Sequence, residues 1–125
     1  MNNTQNLIHF TVNIELDSSN NANFTYFKDN KEVSGGGVVR TETAGIYSLN
    51  EATLAKGFLF SGATITDKEG NCASDFTPEI NDNGQSIIIT DTDKNNGAVC
   101  LIFDVERNGT TYKSADPQII NKKEN

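Results

Sequence analysis

Residues 7–16 alternate without a break. Ile8, Phe10, Val12, Ile14 and Leu16 fall on one side, and His9, Thr11, Asn13 and Glu15 on the other. Strict period-two alternation over this length predicts a strand with one face buried. The pattern recurs more briefly along the chain. Residues 24–28, 38–40, 46–49, 58–66, 86–90, 98–106, 111–114 and 118–121 read as further strands or strand continuations. Asp17 to Asn23 is polar and breaks the first strand from the second. Asn108-Gly109 between two strands is a hairpin turn signal, because both residues tolerate positive φ. Residues 50–56 (NEATLAK), closed by Gly57, predict the one helical turn. Residues 67–82 are polar, contain Pro78 and read as irregular. The expectation is an all-β, antiparallel sandwich of about eight strands, forming a single domain over residues 1–125.

At 125 residues the chain is long enough to bury a core without disulfides or a metal. Its net charge of −7, with two Arg, excludes the clustered basic surface that nucleic acid or an anionic membrane demands. The longest apolar run, residues 98–103, is far short of a membrane span. The opening MNNTQNL has no export signal, so a cytoplasmic location is expected, with Cys72 and Cys100 as reduced thiols. No cofactor is expected. Gly35-Gly36-Gly37 lacks the Lys-Ser/Thr of a phosphate loop and reads as a bend, a bulge or a place of close backbone approach. Residues 91–97 (DTDKNNG) imitate a calcium loop only in part. The glycine is one place late and position twelve is Ile102, so an acidic hairpin turn is expected and no metal site. His9 is the sole histidine and lies on the polar face of the first strand, which leaves no Ser-His or Cys-His pair for catalysis in trans.

Residues 98–106 are apolar on both faces: Val99, Leu101, Phe103 and Val105 on one, Ala98, Cys100 and Ile102 on the other. Such a strand is covered on both sides, either by a loop or by another subunit.

Asp116-Pro117 has chemistry of its own. The tertiary amide twists easily, and the Asp carboxyl can add to its own carbonyl carbon to give a five-membered anhydride that water opens. Alternatively the carboxylate activates a water as general base. Both routes need a donor for the oxyanion and a proton for the leaving nitrogen. The bland alternative is a turn.

The stretch KSADPQI at residues 113–119, nine residues before the end of a small β-domain with an Asn-Gly hairpin, resembles the DP-EP family. The resemblance extends to the opening strand and the Tyr26 strand. These are small bacterial β-sandwich proteins. The resemblance implies self-cleavage after the Asp of Asp-Pro, in the manner of an aspartic endopeptidase, and self-assembly into a homo-oligomer. It makes Asp116 the catalytic and scissile residue and Pro117 the leaving group. Tyr26 and Ser114 become hydrogen-bonding neighbours, and residues 117–125 a cleaved peptide. The sequence departs from the family pattern in lacking Glu-Pro. It also has Ala98 where the family pattern places a lysine that the activated Asp acylates. Two alternatives stand beside this reading: a non-enzymatic structural or interaction domain, and a domain with an internal isopeptide bond from Lys94 or Lys113 to an Asn or Asp.

Overall fold

The computed structural model describes residues 6–115 and 117–122. The alternating first segment is strand β1 (Asn6–Leu16), with Phe10, Val12 and Ile14 buried and His9 exposed, as the pattern requires. It pairs antiparallel with β2 (Ala22–Lys28), which turns through Asp29 and Asn30 into β3 (Lys31–Val33). Both turn residues adopt positive φ, which Asp and Asn tolerate better than other L residues. β4 (Gly37–Val39) follows, then β5 (Thr43–Leu49) and the short helix α1 (Glu51–Ala55). Asn50 caps that helix, its Oδ1 accepting from Thr53 N–H at 2.9 Å. The remaining strands are β6 (Leu59–Gly70), β7 (Phe76–Asn81), β8 (Ser86–Asp91), β9 (Gly97–Arg107), β10 (Thr110–Lys113) and β11 (Gln118–Asn121).

The strands form two sheets. One has the order β3-β2-β1-β5-β8-β7. The other is built around β9, which pairs with β6, β10 and β11, while β4 pairs with the far side of β11. The inner faces meet in one core that includes Val12, Ile14, Tyr47, Phe58, Ile87, Leu101 and Phe103. The fold is therefore all-β and a two-sheet sandwich. The described residues form eleven strands where about eight are predicted, and two pairings, β1 with β5 and β11 with β4, are parallel.

Residues 67–82 are not irregular throughout. β6 continues to Gly70, and β7 holds Pro78. Both lie at sheet edges, where one side meets solvent and proline's missing N–H leaves no ladder bond unmade. The DTDKNNG segment is not a hairpin turn: it carries the chain from β8 in one sheet to β9 in the other. Among the described residues no helix is long and apolar enough to cross a membrane. No group of three or more His, Cys, Asp or Glu among them could hold a metal ion. Cys72 and Cys100 are not bonded to one another.

Candidate functional site at an interrupted strand

β6 runs along one edge of β9 from Gly97 to Glu106. β10 and β11 therefore share the other edge end to end, as a single strand with a break. The break has a definite register. Lys113 stands opposite Asp104 and Gln118 opposite Cys100. Ser114 N–H donates to the Phe103 carbonyl (2.9 Å), and Leu101 N–H donates to the Pro117 carbonyl (2.9 Å). Between these two anchors β9 spends one residue, Ile102, and the opposing chain spends two, positions 115 and 116. The register of Pro117 against β9 is thus offset by one residue from that of Ser114.

Two ladder bonds that would tie down this stretch are missing for chemical reasons. In a regular pair, Phe103 N–H would return to the Ser114 carbonyl. Here it donates to Ser114 Oγ at 2.8 Å, which releases that carbonyl from the ladder. The bond back to the Leu101 carbonyl cannot form, because Pro117 has no N–H. The serine and the proline thus loosen the main chain on both sides of position 116. Asp116 itself lies outside the described residues.

Tyr26 is on β2, in the facing sheet, and only 6% exposed. Its hydroxyl is buried and has no hydrogen-bond partner among the described residues. Burial pushes its pKa up to about 12, and the nearby Ser114 hydroxyl opposes part of that shift. The two hydroxyls are close enough to feel one another but do not meet hydrogen-bond geometry. At neutral pH Tyr26 therefore keeps its proton and is a donor without an acceptor among the described residues. An open cleft passes here. Tyr26, Glu32, Val33 and Ser34 line one wall, and Ala115, Pro117 and Gln118 the other, so residues on both sides of position 116 face it.

The three glycines join Tyr26 to the broken strand. A Cβ on Gly35 would fall 2.7 Å from the Tyr26 ring, and one on Gly36 would fall 2.0 Å from the Gln118 carbonyl oxygen. Only glycine lets the loop pass between them. Tyr47 secures the same loop, its hydroxyl donating to the Gly35 carbonyl at 2.5 Å. Its ring packs on Phe10 and Phe103 at 4.6 and 4.7 Å between centroids. The close backbone approach expected of this segment is thus observed.

Beyond the break, Pro117, Ile119 and Asn121 point inward and are buried, while Gln118 and Ile120 point out. Asn121 is 2% exposed. Its amide donates to Asp91 Oδ1 at 3.0 Å and to Asp75 Oδ2 at 3.3 Å. Burial, with some repulsion from Asp93 and Asp75, pushes the Asp91 carboxyl up to about 6, against the hydrogen bonds from Asp93 N–H and Asn121. Sequence reasoning missed this clasp.

The other expected positions are accounted for. Ala98 is buried on β9, between Ile120 and Glu69 on its two neighbours. Lys113 is ion-paired with Asp104 at 2.7 Å on the surface, and Lys94 is exposed.

The fold and this junction define a β-sandwich whose last strand is docked beyond a one-residue register offset at the Asp-Pro sequence. The DP-EP family profile matches residues 8–123, nearly the whole chain, and the chain belongs to the DP-EP family. No curated protein matches it.

Proposed function

We propose that this protein is a self-processing, aspartic-type endopeptidase whose substrate is its own Asp116-Pro117 bond. The observation that carries this reading is the buried Tyr26 hydroxyl, without an acceptor among the described residues, near Ser114, two residues before that bond. A buried donor that makes no bond in the ground state costs stability, and such groups call for a reason. An oxyanion forming at the carbonyl of residue 116 would supply the missing acceptor. The register offset and the proline support the reading too, because a peptide unit freed from its ladder twists at lower cost.

The step balances as follows. A side-chain oxygen of Asp116 adds to its own main-chain carbonyl carbon. The carbon–nitrogen bond to Pro117 breaks, its electron pair stays on the nitrogen, and the carboxyl proton goes to that nitrogen. Water opens the five-membered anhydride, leaving a free α-carboxylate at 116 and the side chain restored. A carboxylate acting as general base on a cleft water gives the same products. Ser34 and Glu32 line the cleft through which that water arrives.

Self-assembly is part of the same proposal. On the outer face of the second sheet, Val38, Ile120 and Ala98 lie in one row across three strands. Val38 is 52% and Ile120 42% exposed. Cys100 and Ile102 extend this row along β9, half-buried. A second copy is the partner we assign to that surface. Cytoplasmic residence is also part of the reading, supported by two cysteines that do not bond to each other.

The test is intact mass under denaturing conditions. A nine-residue fragment, residues 117–125, and a body heavier by one water when the two masses are summed are expected. The Asp116→Ala chain should keep its full mass. Full mass in the natural chain after long incubation over a wide pH range would leave the structural-domain reading in its place.

A further inference from the structure

Once the bond before Pro117 is cut, β11 is held only by non-covalent contacts, and those contacts form a slot with its own selectivity. The slot has three walls. β9 offers the main chain of residues 97–101, in antiparallel register with Asn121 to Gln118 and with Leu101 N–H on the Pro117 carbonyl. β4 offers residues 37–39 in parallel register, and Lys122 N–H donates to the Val39 carbonyl at 2.8 Å. The floor is the sandwich core, which receives Pro117, Ile119 and Asn121. Main-chain bonds of this kind give affinity, and the pockets at alternate positions give selectivity.

The Asn121 pocket is the selective one. Its amide nitrogen is shared between the carboxylates of Asp91 and Asp75, both almost fully buried. Asn95 holds Asp75 in place, its main-chain N–H and side-chain amide each donating at 2.8 Å. Asp91 is held by Asp93 N–H at 2.9 Å. Two buried acceptors demand a donor. A leucine would take one donor from each, leaving Asp91 with the Asp93 N–H and Asp75 with Asn95, and an aspartate would bring a third carboxylate against them.

We propose that this slot is a strand-binding site for peptides of the form Pro-x-Ile-x-Asn, and that its partner is the C-terminal segment of a second copy of this chain. The inference rests on self-cleavage at 116–117 as the event that frees the strand in the cell. The matching ligand is present in every copy, at equal concentration with the slot. Exchange of severed strands between copies then follows from mass action alone.

The experiment separates this from the cleavage reading by cutting the chain independently. In one full-length variant a site-specific protease sequence replaces Asp116. Unlabelled and isotope-labelled preparations are cut, mixed and followed by native mass spectrometry. Hybrids of a labelled body with an unlabelled peptide are expected to approach the statistical mixture. A synthetic 117–125 peptide should replace the resident one. The same peptide with Asn121→Leu should compete about tenfold or more weakly, and with Asn121→Asp more weakly still at neutral pH. Loss of the peptide on cutting without recapture, an absence of hybrids, or equal competition by the leucine peptide would each overturn the proposal. The natural uncut chain gives a second measurement. Asn121→Leu should speed hydrogen exchange at the Leu101 and Lys122 amides about tenfold or more and leave the amides of Val12 and Ile14 unchanged. Unchanged exchange at Leu101 and Lys122 would overturn the clasp. If the natural chain never cuts itself while the severed variant exchanges strands, the cleavage reading falls and the slot stands.

Discussion

Single side chains at the junction make separable contributions. Ser114 Oγ is the acceptor for the buried Phe103 N–H. Ser114→Ala strands that donor and should cost about 1–3 kcal/mol of unfolding free energy, read by urea titration. Tyr26→Phe removes a hydroxyl that makes no bond among the described residues, so stability should hold or rise slightly. The rate of appearance of the 117–125 fragment should instead drop by about a hundredfold, the usual loss for one oxyanion donor. A variant that slows in step with unfolding would place Tyr26 in the core and nowhere else. These two residues entered the reading through the family resemblance. Nothing in their own sequence neighbourhood distinguishes Tyr26 from any strand aromatic. Asn121 was beyond reach altogether, because Asp75 and Asp91 are 46 and 30 positions away in sequence. A clasp assembled across two sheets leaves no local pattern.

Elements that bury one face and turn tightly are legible in the sequence. β1 and the Asn108-Gly109 hairpin sit where alternation and turn chemistry put them, and both turn residues have positive φ. The edges were not legible: β6 beyond Thr66 and all of β7 expose most of their side chains, so hydrophobic alternation has nothing to mark. The parallel pairing of β1 with β5 was equally hidden, since alternation carries no direction. The offset between β10 and β11 is a property of register against β9, and register is visible only once the partner is known. Gly36→Ala tests how that element is held. Its Cβ would land on the Gln118 carbonyl, so β4 and β11 must part. A loss of about 1–3 kcal/mol is expected, with exchange protection lost first at Leu101 and Lys122. Ala98→Lys tests a different reach. Ala98 lies three residues along β9 from Leu101, the partner of Pro117, which is about 10 Å of strand. That is further than a lysine side chain spans, so any link from position 98 to the activated Asp116 should appear as covalent dimers under denaturing conditions, not as a chain lighter by one water.

At the scale of the whole molecule, the buried Asp91 carboxylate gives stability a pH dependence opposite to that of surface ion pairs. The Asp91 pKa is raised on folding to about 6 from 3.8. The folded state therefore holds more protons than the unfolded chain between these values, and this group's contribution to stability falls as pH rises from about 4 to about 6. Above that window the carboxylate is charged in both states and the penalty is constant. Asp91→Asn keeps an acceptor for Asn121 and Asp93 N–H but does not titrate. Its urea midpoint should exceed that of the natural chain at pH 7 by more than it does at pH 4, and equal differences would remove Asp91 as the source. Assembly is checked by sedimentation: Val38→Lys, on the exposed row with Ile120, should shift any oligomer toward monomer without altering the unfolding midpoint of the isolated chain.

The packing of the glycine loop carries a last consequence. β4 is joined in its sheet through β11, and the loop leading into β4 rests on Tyr26 and receives the hydroxyl of Tyr47. The chain has three tyrosines and no tryptophan, so ultraviolet emission comes from tyrosine alone, without energy transfer to an indole. Two of the three emitters touch the loop that leads into β4, the slot wall that loses its strand partner when β11 leaves. Occupancy of the slot is thus written into the intrinsic fluorescence, and strand release can be followed in real time without a dye.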